Sequence, residues 1–169
     1  MTPEFSRWFD VRTLSERPVT LTASTAEREA LARRFGLLAV DRLEAELTLR
    51  REKEVVAVTG QLTASVVQSC AVSGEPLPVT IEEPIALEFV PATRSHRPDE
   101  EIELAAQDCD QIEFTGSNVD LGEAVAQSLA LAIDPYATGP QADAARARHG
   151  LLGEEAAGPF AALAALKKP

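Results

Sequence analysis

The chain has 169 residues, with 16 Lys and Arg against 27 Asp and Glu, and a formal net charge of −11 at pH 7. That length suits one domain with tails to spare, and two cysteines 39 positions apart do not make a disulfide scaffold. Charges from Glu4 to Arg17 rule out an apolar leader, and the longest uncharged apolar-leaning run, Ala124–Ile133, is about half of what a bilayer requires, so the expectation is a soluble protein of the reducing cytoplasm.

The hydrophobic fraction of 45% includes 28 alanines, so a core must rest on Leu, Val, Ile and the six Phe. Residues 24–35 read as a short helix. Ser24 and Glu27 have capping-box spacing, Leu31 and Phe35 share a face, and Gly36 is placed to end the helix. The period then changes to two. Leu43, Ala45, Leu47 and Leu49 alternate with polar residues, as in a strand with one buried face. The charged stretch Arg50–Glu54 predicts a turn, and Val55–Val67 a second long strand. A turn over residues 70–78 leads into a third strand carrying Val79, Ile81, Ile85, Leu87 and Phe89, where Pro84 marks a bulge or an edge. Val19–Thr22 is a candidate strand at the margin of this meander.

Pro91–Asp110 is polar and acidic and reads as a mobile loop, after which Ile112–Phe114 is placed to rejoin the sheet. Asp120 opens a second helix, with Glu123 at capping-box spacing and an apolar stripe of Leu121, Val125, Leu129, Ala132 and Ile133; Pro135 ends it. Residues 137–158 hold only Leu151 and Leu152 as large apolar side chains, too few to offset the entropy of ordering. The fold expected is α+β: an antiparallel β-meander, curved or partly closed into a barrel, with two flanking helices. Residues 1–136 form the domain and 137–169 a flexible Ala-rich tail with a short apolar end motif.

Chemistry is sparse. Cys70, His96, Cys109 and His149 are the only soft ligands and none are paired at zinc-ribbon spacing; the second position of a Cys-x-x-Cys knuckle at Cys70 is Ser73. Both histidines fall in segments expected to be mobile, which does not suit a positioned base. No glycine-rich phosphate loop is present. The expectation is therefore a protein that is not an enzyme, with no metal and no cofactor.

Charge is unevenly distributed. Residues 1–68 balance ten basic against ten acidic side chains, whereas residues 69–169 hold six against seventeen and carry the whole net charge. Such a surface repels phosphate and attracts a basic partner, although solubility alone also accounts for it. The basic cluster Arg50, Arg51 and Lys53, on a predicted turn, is the alternative contact for RNA.

Four segments in order, PEFSRWFDV, ALARRFGLLAVDRLEAELTLRR, VVQSCAVSGEPL and VDLGEAVAQSLALAIDPY, together with the closing PFAALAALK, resemble the YceD family of large ribosomal RNA accumulation proteins, in its alphaproteobacterial-type branch. The resemblance implies work in large-subunit biogenesis rather than catalysis, on a basic large-subunit ribosomal protein or pre-ribosomal particle. The candidate contacts are the turn with Cys70, Glu75 and Pro76, the acidic loop with Asp99, Glu100, Glu101 and Glu103, and the second helix with Asp120, Glu123, Asp134 and Tyr136. Ser73, where many relatives have a second cysteine, withholds from this chain any metal role assigned to them.

Overall fold

A computed structural model describes residues 4–14, 16–92 and 110–150. The loop residues 93–109, with Asp99, Glu100, Glu101, Glu103 and Cys109, and the end motif after residue 150 lie outside the described residues.

Three long strands dominate: β3 (Ala39–Glu52), β4 (Val55–Ser69) and β5 (Pro76–Pro91). They pair antiparallel as the meander expected from their alternation. β2 (Val19–Thr22) adds antiparallel to β3, and β6 (Asp110–Phe114) adds to β5, giving the order β2-β3-β4-β5-β6. The sheet is open rather than a partly closed barrel, because β2 and β6 are its two edges and do not pair with each other. It is also not wholly antiparallel. β6 runs parallel to β5, since the chain crosses back before re-entering.

Alternation decides which face is buried. Leu43, Ala45, Leu47 and Leu49 of β3 meet Val58, Leu62, Ala64 and Val66 of β4 on the inner face, while Glu46, Thr48, Thr59 and Gln61 face out. Asp41 is the extra residue of a bulge between Val40 and Arg42, which lets both Val40 and Leu43 point inward despite their odd separation. The inner row of β4 includes Gly60, where a Cβ would stand 2.0 Å from the Glu46 carbonyl oxygen. The absence of a side chain is what allows β3 to approach there. Pro84 keeps the β4–β5 register unbroken; it lies outside Leu87–Pro91, the part of β5 that β6 covers, so its missing N–H removes no bond to β6.

Two helices cover the inner face. α1 (Thr25–Phe35) has the full capping box, with Ser24 accepting from the Glu27 amide and Glu27 accepting from the Ser24 amide, and Gly36 ends it at φ 67°. α2 (Leu121–Ala132) buries Leu121, Val125 and Leu129. Its box is only half formed: Asp120 accepts from the Glu123 amide, but the Glu123 carboxylate turns to Arg34. Each fully buried leucine in this layer contributes about 2 kcal/mol.

A two-stranded ribbon of β1 (Trp8–Asp10) and β7 (Asn118–Asp120) completes the core. Phe5, fully buried, precedes it, and the chain crosses α2 at Gly122, where a Cβ would lie 2.3 Å from the Phe5 carbonyl oxygen. A third helix, α3 (Ala142–Arg148), corrects the expectation of two helices and falls inside the stretch assigned to the tail. It buries Ala142 and Ala145.

Candidate functional site

The expected contacts divide between the two ends of α2. At its C-terminal end, the turn after β4 meets the loop after α2. The Cys70 amide donates to the Glu75 carbonyl and the Gly74 amide to the Cys70 carbonyl, closing the turn at 2.8 and 2.9 Å. Three bonds then fasten the loop to it: Gln68 Nε2 to the Asp134 carbonyl at 2.8 Å, the Ala71 amide to the Ala137 carbonyl at 3.0 Å, and the Gly139 amide to Cys70 Sγ at 3.3 Å. Gln68 is a buried polar side chain on the inner row, and this bond satisfies it.

Cys70 is only 3% exposed. Its sulfur accepts from Gly139 and Ser73, and those amides pull the thiol down to about 6 from its ordinary value of 9.0. Its place is that of an anchor between two loops. The Asp134 carboxylate is taken by the Tyr136 amide at 2.8 Å, a local turn. Glu75, Pro76, Asp134 and Tyr136 are the members of this group left at the surface, with Tyr136 82% exposed. The structure therefore brings Cys70, Glu75 and Pro76 together with Asp134 and Tyr136.

Asp120 and Glu123 stand apart from them, about 20 Å away along α2. Asp120 Oδ1 accepts from both the Arg7 and Glu123 amides, at 2.7 and 3.1 Å, so one carboxylate caps the helix and holds the ribbon. Arg34 bonds Glu123 at 2.7 Å and Glu4 at 3.0 Å, tying α1, α2 and the first described residues together. Its hydrogen bonds hold the Glu123 carboxyl below its usual range. Arg7 grips Glu27 through both nitrogens, at 2.7 and 3.0 Å, and pulls that carboxyl down to about 2.

A cleft of about 370 Å³ opens beside this end of α2, between β6 and the β1–β7 ribbon. Trp8 lines it and is 64% exposed. Trp8 is a surface aromatic that the sequence pattern does not single out. Its signal was an unpaired large aromatic inside the charged run Ser6-Arg7-Trp8-Phe9-Asp10, where alternation does not say which way a side chain faces.

The basic cluster lies on the β3–β4 hairpin. Arg50 and Lys53 are exposed, but the Arg51 guanidinium donates to the Val11 carbonyl at 3.2 Å and the Lys53 carbonyl at 2.9 Å. Lys53 adopts φ 60°, a left-handed position in the two-residue turn. Among the described residues no three of His, Cys, Asp and Glu converge as metal ligands would, and no helix is long and apolar enough to cross a membrane.

The model of the YceD family, described as large ribosomal RNA subunit accumulation protein, matches residues 58–167. The chain belongs to the YceD family. The matched YceD region takes in most of β4, all of β5, the Cys70 turn, α2 and α3, whereas α1, β3 and the Trp8 strand precede it. No curated protein and no solved structure matches this YceD chain.

Proposed function

We propose that the protein acts without catalysis in the accumulation of large-subunit ribosomal RNA, in the cytoplasm, by holding a basic large-subunit ribosomal protein or a pre-ribosomal particle against its acidic surface. Family membership carries this reading. The charge supports it: the excess of acid lies beyond residue 68, largely within the matched region. A strongly basic protein free of its RNA site binds nucleic acid promiscuously, and an acidic surface can shield it until RNA competes. The contacts we assign are the two ends of α2, with Glu75, Pro76, Asp134 and Tyr136 at one and Asp120 and Glu123 at the other, together with Asp99, Glu100, Glu101 and Glu103.

The alternative is direct contact with ribosomal RNA through the hairpin, for which Arg50 and Lys53 are exposed and Arg51 is already engaged. Affinity capture of the tagged protein from its own cell extract, with and without ribonuclease, separates the two. Retention of a basic ribosomal protein after ribonuclease is the expected result. Loss of all ribosomal proteins together with the RNA would overturn the acidic-surface reading and direct attention to the hairpin.

A further inference from the structure

From Ala124 to Ile133 the second helix carries no charge, and Leu131 in its last turn is 81% exposed. A cleft of about 190 Å³ opens beside that leucine, where β6 begins and the preceding part of β5 has no neighbouring strand on that side. Pro84, Ile85, Leu87 and Leu131 make its wall apolar. Glu83 and Asp110 also line it, both exposed and neither in an ion pair among the described residues. Glu83 alternates in step with the buried Ile81 and Ile85, so the row that faces the core opens to solvent at this point. The cleft thus suits an apolar segment followed by positive charge.

The chain itself supplies one. Beyond Gly150 it holds two apolar pieces, both outside the described residues. Leu151 and Leu152 are followed by Glu154 and Glu155, which Glu83 and Asp110 would repel. Phe160, Leu163 and Leu166 recur every three residues and are followed by Lys167 and Lys168, opposite in charge to the cleft. The family match runs on to residue 167, so it takes in this motif together with β5 and α2.

Length permits the contact. Gly139 lies against Leu77, and Ile85 stands eight residues further along β5, about 26 Å away. α3 is about 10 Å long, and the ten residues from Gly150 to Phe160 extend up to about 33 Å. Three large apolar side chains fall short of the roughly 1,200 Å² that a stable two-chain interface buries. A tether lifts that limit by raising the local concentration to the millimolar range, which favours the chain's own motif over a second copy or a separate partner.

We infer that residues 159–168 dock in cis, with Phe160, Leu163 and Leu166 against Leu131 and the apolar wall of the cleft, and Lys167 and Lys168 toward Glu83 and Asp110. The inference is independent of what the protein binds elsewhere.

Hydrogen exchange of the full-length protein, read by mass spectrometry on peptides covering the motif, tests it. Amides of residues 161–166 are expected to exchange about tenfold slower than in an unfolded chain, unchanged over a roughly hundredfold range of protein concentration. Leu131→Asp, at an exposed position, should return them to the unfolded rate. Phe160→Ser with Leu163→Ser leaves α2 untouched and should give the same loss. Lys167→Glu with Lys168→Glu should reduce the protection about threefold, and Glu83→Lys in that background should restore part of it. Leu38→Asp, exposed just before β3, should change nothing.

Residues 161–166 exchanging at the unfolded rate in the wild type would overturn the inference. Equal loss with Leu38→Asp and Leu131→Asp would do the same. Protection that strengthens with concentration beside a dimer in sedimentation would also overturn it, by making a second copy the occupant.

Discussion

Gly60→Ala is a severe test of the sheet geometry. The added methyl would stand 2.0 Å from the Glu46 carbonyl oxygen and 2.9 Å from Leu47 Cα, both backbone atoms of the neighbouring strand. Carbon and oxygen do not approach closer than roughly 3.3 Å even in a weak C–H···O contact, so β3 and β4 must part by about 1 Å. A ladder bond stretched that far is lost, and two such bonds are worth about 2 kcal/mol. Overpacking of the buried row adds about 1–3 kcal/mol. The total is about 3–5 kcal/mol, which lowers Tm by roughly 10 °C for a chain of this size. Urea unfolding followed by circular dichroism measures it, with Thr59→Ser, exposed on the adjacent position, as a control within about 1 kcal/mol. If Gly60→Ala matched that control, the close approach of the two strands would be refuted.

Lys53→Gly should stabilise the protein by about 1 kcal/mol, because φ 60° is strained for lysine and free for glycine; a higher urea midpoint with unchanged slope is the expected result. Arg34→Met retains the packing of the stem but loses Glu4 and Glu123, costing about 1 kcal/mol at low salt and less at high salt; a cost independent of salt would contradict an ionic origin. Glu27, held near 2 chiefly by Arg7, contributes stability above its ordinary value of 4.5 that is lost as pH falls toward 2. Glu27→Gln should therefore flatten the acid limb of the unfolding profile. The Cys70 thiol, depressed to about 6 in the fold, adds stability that grows from pH 6 to 9 and is lost as pH falls through 6. Cys70→Ala should remove that slope, and thiolate absorbance near 240 nm should titrate well below the usual thiol range.

The parts legible in the sequence are those where periodicity and caps agree. The two-residue alternation of Leu43–Leu49 announced β3, and Ser24, Glu27 and Gly36 bounded α1 to within a residue. Other features were hidden for physical reasons. The three-residue strands of the ribbon are too short to show a period, so Trp8 and the cleft beside it went unread. The parallel pairing of β6 is a matter of chain crossing that local pattern does not encode. α3 buries only the methyl groups of Ala142 and Ala145, so it shows no amphipathic contrast. Asp120 and Glu123 were recognised as a helix start, but the pull of Arg34 on Glu123 depends on a residue 89 positions away. Among the expected contacts, Cys70 was placed in the correct turn, and its burial follows from Gly139, far along the chain.

The span matched by the family model is shorter than the sheet it belongs to. The match begins at residue 58, within β4, yet the inner row of β4 is closed on one side by Leu43, Ala45, Leu47 and Leu49. A fragment cut at that boundary would lack β3 and α1 and would display a long β-branched strand with one whole row of amides and carbonyls open. Such an edge seeks another strand, and in solution the nearest available one belongs to another copy. Expression trimmed to the recognised region should therefore yield aggregates, and soluble protein requires the residues that precede it.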